Sequence, residues 1–533
     1  MSGRLLLLLR LILCIVLTTR QLALAGAASS SKVVTSLPGF QAPLPFHLET
    51  GCPFSHSVLY SSFSTHPSGR RYVEVDEDNG TELFYYFVES EAGGENAPFL
   101  LWLTGGDHCS VLSGLAFEIG TFCLRSQAIT LYVISYSDAY TCQPQLQVAH
   151  ILFVDSPAGA GFSFSKQPKG YHVGEVSTSL QLHDFLIKWI RDHPKFLSSP
   201  LYIGGDSYAG KIVPFIAQKI SQGNEVGRRP LLNLKGYLLG NPATGERIDE
   251  SSKVPFAHGF GIISDQLYET ILGHCQGQDY KNPTNVLCAK ALGTFHSLLS
   301  EVMLPHILWD KCVYSSAGPH AETDDSAGAG RKILSEEAAG IKMGKRLKHP
   351  PVRPPLDCIN YAHYLSYFWA NDERTRDALG VKEGTVDEWV RCQDGGVPYT
   401  RDIVSTIKYH RNVTANGYRA LVYRSSHFCP VTTAYSLKME CHSDRILFGV
   451  HGSGDHDSVV PHLGTQAWVR SLGFPIVDEW RAWHLHGQSA GFTVSYTNNM
   501  TFATVKGAGH TAPEYEPEKC FAMFSRWILN QPL

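Results

Sequence analysis

The sequence predicts an α/β fold, with a mostly parallel central sheet and helices on both faces. Three observations support this. Apolar runs at 98–103, 151–154, 201–203 and 237–239 are continuous rather than alternating, as in strands buried on both faces. Each run ends in a turn rich in glycine, proline or small polar residues. Between 178 and 193, Leu182, Phe185, Leu186, Trp189 and Ile190 fall at i, i+3, i+4, i+7 and i+8, which is one face of a helix that stops before Pro194. Strands that alternate with such helices give a sheet wrapped on both sides.

The elements follow in order. The apolar block from Leu5 to Leu17, broken by Arg10 and followed by Ala23-Leu24-Ala25, reads as a signal peptide over 1–25, leaving 26–533 as the mature chain. No later run is long and apolar enough to cross a bilayer, so no membrane partner is expected. An aromatic strand at 83–88 precedes the four buried runs. From about 249 to 400 the pattern turns helical and irregular, predicting a helical cap insertion over the sheet edge. Within the cap, 315–355 is rich in Ala, Gly, Ser, Lys and Pro and carries Lys345-Arg346, the composition of a flexible loop open to proteases. Strands resume at 419–423 and 502–505, and no internal repeat is present.

Composition narrows the function. A formal charge of -4 and a pI near 6.7 leave no basic footprint for nucleic acid. In a secreted chain the 13 cysteines are expected to pair. The sequons at Asn79, Asn412 and Asn499 predict glycosylation in the same compartment. No spacing of His, Cys, Asp or Glu forms a metal-ligand set, and no phosphate loop or dinucleotide fingerprint occurs, so neither a metal nor a cofactor is expected.

The chemistry gathers at Gly204-Gly205-Asp206-Ser207-Tyr208-Ala209-Gly210, which follows a buried strand and opens a helix. A serine on such a tight turn is a nucleophile elbow, here with Ala209 where the strict pattern has glycine. A hydroxyl needs a base, and the base needs an acid that fixes its tautomer. His510, in the glycine-rich loop after the last strand, is the candidate base. Asp457, in the turn Ser453-Gly454-Asp455-His456-Asp457, is the candidate acid. The chain order Ser, Asp, His is that of the α/β-hydrolase triad.

Trp102-Leu103-Thr104-Gly105-Gly106, Phe153-Val154-Asp155-Ser156-Pro157, Gly159-Ala160-Gly161-Phe162-Ser163, the elbow, Gly240-Asn241-Pro242 and the His510 loop together resemble the serine carboxypeptidases and carboxypeptidase-like acyltransferases. The resemblance covers most of the chain after residue 35. It implies an α/β-hydrolase fold with Ser207 as nucleophile, Asp457 rather than Asp455 as acid and His510 as base. It also implies an oxyanion hole built from the N–H groups of Gly106 and Tyr208. The family's disulfides would pair Cys109 with Cys392, Cys275 with Cys288 and Cys312 with Cys358. The last pair spans a loop that resembles the linker excised in two-chain members.

Peptidases of this family bind a substrate's C-terminal carboxylate through acids and an amide, so Thr104, Gly105, Glu118 and Asp206 are the implied substrate contacts. Here Asp206 replaces the usual glutamate and Thr104 the usual asparagine, while Glu118 matches. A shortened acid and a missing amide weaken the carboxylate clamp, and Asp before the serine resembles the plant acyltransferase branch. The expected partners are therefore a small-molecule acyl donor such as a glucose ester and an alcohol or amine acceptor. The alternative partner is a peptide C-terminus. The expected location is extracellular or vacuolar.

Three stretches, 52–71, 121–147 and 424–452, depart from the family and read as retained intron or gene-model sequence, since long structureless loops are rare. They make an inactive homologue the second alternative. At the oxyanion turn, Asp107-His108 stands where relatives have Pro-Gly, and a carboxylate there would oppose the charge of an oxyanion.

Overall fold

A computed structural model describes residues 32–40, 43–44, 46–50, 72–90, 94, 97–120, 122–127, 130–135, 148–311, 360–393, 397–428, 453–454 and 456–533. The leader 1–25, the stretch 52–71, the loop 315–355, positions 136–147 and 429–452, Asp455, and the Cys312–Cys358 pair lie outside the described residues.

Among the described residues twelve strands form the main sheet: β1 (Lys32–Val34), β2 (Leu48–Thr50), β3 (Tyr85–Val88), β4 (Phe99–Leu103), β5 (His150–Val154), β6 (Leu201–Asp206), β7 (Leu234–Gly240), β8 (Arg419–Phe428), β9 (Ser453–Gly454), β10 (Ile476–Leu485), β11 (Gln488–Tyr496) and β12 (Met500–Lys506). Their order is β1-β2-β3-β5-β4-β6-β7-β8-β12-β11-β10, with β9 against the end of β8. The strands from β5 to β12 in that order run parallel, and the flanks are antiparallel. Each apolar run read from the sequence is a strand of this sheet, and 83–88 spans β3 and the end of a short strand before it.

The continuous apolar runs feed two cores at once, because successive side chains point to opposite faces. From β4, Phe99, Leu101 and Leu103 pack with Phe185 and Trp189 of α1 (Glu175–Asp192) and Ile212 and Ile216 of α2 (Ala209–Glu225). Leu100 and Trp102 pack on the other face with Leu365, Phe368, Phe524 and Trp527. Each fully buried large apolar side chain contributes about 1.5–3 kcal/mol. Helix α1 ends at Asp192 with His193 as its cap, and Pro194 cannot supply the next amide.

The cap differs from its predicted extent. Helices α3 (Asp265–His274) and α4 (Val286–Leu299) enclose a small core of their own around Ile271, Leu292 and Phe295. After the undescribed loop, α5 (Asn360–Asn371) and the chain through Trp389 instead pack on the main core through Leu365, Trp369, Leu379 and Trp389. Within 121–147 the backbone forms a hairpin, Phe122–Gln127 with Thr130–Ser135.

Candidate active site

Ser207 follows β6 directly and opens the turn into α2, with φ 52°. That left-handed backbone costs a non-glycine residue about 1–3 kcal/mol, and the turn is held from both sides. The Ser207 N–H donates to Gly240 O (2.8 Å), and the Ser207 carbonyl accepts from the amides of Gly210 and Ala243 (3.0 Å each). A Cβ on Gly205 would run into Leu103 O and lie 2.6 Å from Ala209 Cβ. Ala209 is therefore accommodated because its neighbour across the turn has no side chain.

His510 and Asp457 arrive from loops beyond β12 and β9. His510 Nε2 lies 2.7 Å from Ser207 Oγ, and His510 Nδ1 lies 2.9 Å from Asp457 Oδ2. Asp457 is fully buried. Its Oδ2 also accepts from Asn241 Nδ2 (2.7 Å) and Arg424 Nη2 (3.0 Å), and its Oδ1 accepts from the amides of Val459 (2.8 Å) and Val460 (3.2 Å). Burial alone would raise this carboxyl. His510, the Arg424 guanidinium and the Asn241 amide outweigh burial and hold it below the usual range. An anionic acid keeps the Nδ1 proton facing it, which leaves Nε2 to accept from the serine.

Arg424 corrects the sequence reading, which placed it at the head of an inserted stretch. It belongs to β8, pairs with Thr504 of β12, and is completely buried. Its guanidinium donates to Asp457, Pro461 O (2.9 Å) and Thr465 Oγ1.

Gly106 has φ +85°, and a Cβ there would run into Cys109 Sγ. Tyr208 sits at the N-cap of α2, where the first N–H groups have no partner within the helix. Both line a pocket of about 30 Å³ together with Thr104, Asp107, Ser156 and Tyr399. Asp107 does not stand alone beside it. His108 Nδ1 (3.7 Å) and Arg401 Nη2 (3.3 Å) both meet its carboxylate and hold it below the usual range, burial opposing them.

Among the described residues three acids lie behind the elbow, with Glu118 and Asp206 buried and Glu514 largely so. Burial raises Glu118 to about 7, although Thr104 Oγ1 and Trp102 Nε1 (2.8 Å) donate to it. Burial and then the Glu118 charge push Asp206 well above its usual value, against the backbone amides of Gly105 and Asp206 itself, which lie outside good hydrogen-bond geometry. Gly105 leaves room for the elbow, since a Cβ there would lie 2.6 Å from Ser207 Cβ. The third acid, Glu514, was not singled out from the sequence. Burial would raise it, but His363 Nε2 (2.7 Å) and Thr511 Oγ1 (2.6 Å) meet its carboxylate and hold it low.

A family model described as "Serine carboxypeptidase" matches residues 61–440 and 445–530. The chain belongs to the serine carboxypeptidase family. Among its relatives, the protein named "Serine carboxypeptidase-like 19" from Arabidopsis thaliana is 39% identical over 95% of both chains. "Serine carboxypeptidase-like 8" from the same plant is 37% identical, covering 96% of this chain and 98% of the relative. The crystal structure of a prohormone-processing carboxypeptidase from Saccharomyces cerevisiae superposes with a TM-score of 0.61 at 18% identity, covering 94% of this chain and 96% of that one. That likeness shows the α/β-hydrolase fold.

In this serine carboxypeptidase family member, Cys109 is bonded to Cys392 and Cys275 to Cys288, as the resemblance implied. The first bond ties the Gly106 turn to the end of the cap region, and the second closes the α3–α4 pair. Asn412 and Asn499 are exposed and Asn79 is half-buried, with its amide on Asp76 Oδ2 (2.7 Å). Among the described residues no helix is long and apolar enough to cross a membrane, and no three His, Cys, Asp or Glu side chains converge on a metal position.

Proposed function

We propose that this chain works through an acyl-serine and transfers the acyl group of a glucose ester to an alcohol or amine. The observation that carries this reading is the altered carboxylate clamp. Asp206 is one methylene shorter than glutamate and is buried behind the elbow. Thr104, in the asparagine's place, donates its hydroxyl to Glu118 rather than offering an amide to a substrate. Fewer donors then face a free C-terminal carboxylate, so binding energy is drawn from other parts of the substrate.

In the first half-reaction Ser207 Oγ attacks the ester carbonyl and its proton passes to His510 Nε2. Asp457 stabilises the imidazolium, and the N–H groups of Gly106 and Tyr208 receive the oxyanion. The tetrahedral centre collapses, and glucose leaves with the proton from His510. In the second, His510 takes the acceptor's proton as the acceptor oxygen or nitrogen attacks acyl-Ser207. Collapse then returns the proton to Ser207 and frees the acylated product. The two disulfides and the sequons support placing the protein in the secretory pathway, extracellular or vacuolar.

A second reading is carboxypeptidase action. Glu118 raised to about 7 and Asp206 raised well above its usual value are protonated at acidic pH, and a protonated carboxyl can donate to a peptide's C-terminal carboxylate. The assembled triad favours either enzyme over an inactive homologue. Supplying a phenolic glucose ester with an alcohol acceptor, and separately a blocked dipeptide, divides the two. Transfer is expected to be the faster, and faster release of a C-terminal residue would reverse the assignment.

A further inference from the structure

We propose that the cap segment from Leu304 to Ile307 is a positioning element of the triad, with His306 as the residue that locks it. The acid and base loops leave different parts of the sheet, and this segment bonds to both. Leu304 O accepts from Ser458 N (3.0 Å) and Ser458 Oγ (2.8 Å), and the Ile307 N–H donates to His456 O (2.9 Å), so the residues on either side of Asp457 are held by the cap. Pro305 O accepts from the N–H of His510 itself (2.7 Å). A Cβ on Gly509 would lie 2.5 Å from that same Pro305 oxygen, so the approach depends on a bare backbone at this position.

His306 sits where the three segments meet and is buried. Its Nε2 lies 3.2 Å from His456 Nδ1 and 3.3 Å from Gly507 O, one on the acid loop and one on the base loop. Its ring packs on Tyr515 (4.9 Å between centroids) and Trp309 (5.2 Å). Three backbone groups, making four hydrogen bonds, and one imidazole thus fix the separation of Asp457 and His510 from a third element. The arrangement makes the cap part of the catalytic frame, so displacement of the cap would disturb the 2.9 Å contact between acid and base.

The inference rests on the acyl-serine reading, and one experiment separates the two. The full-length protein and its His306→Phe and His306→Asn variants are labelled at Ser207 with a fluorophosphonate, and kcat and KM are measured with a phenolic glucose ester. His306→Phe keeps the ring packing and removes the polar bridge. It is expected to slow labelling and lower kcat about tenfold with KM little changed. His306→Asn, which can still bond Gly507 O, is expected to recover part of the loss. If wild type itself is not labelled, the acyl-serine reading fails. If wild type is labelled and folded His306→Phe reacts equally fast, the positioning role fails alone.

Hydrogen exchange on wild type tests the same point without relying on a variant's folding. Backbone amides in 304–308, 456–460 and 507–511 are expected to open as one unit, and opening rates that differ by more than about tenfold would overturn the inference.

Discussion

Replacing Asp457 with asparagine tests the triad at its most constrained atom. Asp457 Oδ2 accepts from His510, Asn241 and Arg424, and Oδ1 accepts from two backbone amides. Asparagine has a single acceptor oxygen. If that oxygen stays on the His510 side, its NH2 opposes the amides of Val459 and Val460. If the side chain is flipped, the NH2 opposes the guanidinium and turns the imidazole to the tautomer with its proton on Nε2, facing Ser207 Oγ where an acceptor is required. The flipped arrangement also removes the charge that stabilises the imidazolium. The expected loss in kcat is about 10⁴-fold, or roughly 5 kcal/mol in the transition state. Removing the carboxylate from the buried pair with Arg424 should cost a further 3–5 kcal/mol of stability, roughly. The assay is the rate of fluorophosphonate labelling at Ser207 together with the thermal midpoint. A folded Asp457→Asn protein labelled within about tenfold of the wild-type rate would refute the assignment of the acid.

Further outcomes follow from the same geometry. Arg424→Met should lower stability by about 3–5 kcal/mol, measured by denaturant unfolding, because it strips the buried cation from Asp457. Glu118 has a folded value of about 7 against 4.5 for a free glutamate, so the fold binds an extra proton between those values and its contribution to stability declines as pH rises through them. Glu118→Gln should therefore become more stable relative to wild type between pH 5 and pH 8, by on the order of 3 kcal/mol; a difference independent of pH would contradict the cause. Asp206→Glu should restore reach to the carboxylate clamp and shift the ratio of dipeptide hydrolysis to acyl transfer by about tenfold, read by product analysis. Cys109→Ser with Cys392→Ser should free the Gly106 turn and slow Ser207 labelling by up to about a hundredfold.

Much of this site was legible in the sequence because its parts lie where continuous apolar runs end. The runs at 98–103, 201–203 and 502–505 lead into Gly106, Ser207 and His510, and all three runs feed both cores. Arg424 was not legible, because a fully buried guanidinium has no periodic signature and reads as the start of a polar insertion. Glu514 was missed for a similar reason: three residues after Thr511 it looks like an ordinary polar position in a short helix, and its place beside Glu118 depends on contacts far apart in sequence. The hairpin of β10 and β11 escaped because β10 is mostly exposed and shows neither alternation nor a continuous apolar run. The later part of the predicted cap joined the main core because Leu365, Trp369 and Trp389 bury their surface against the sheet rather than against the small α3–α4 core.

The most direct test of the central proposal is to trap the acyl-enzyme. The protein is incubated with a phenolic glucose ester, quenched in acid, and the peptide containing Ser207 is weighed with and without an alcohol acceptor. The predicted result is an added phenolic acyl mass on Ser207 that disappears as acylated acceptor forms. The contradicting result is a Ser207 peptide that never gains the acyl mass, or one whose acyl group is released to water at the same rate whether or not the acceptor is present.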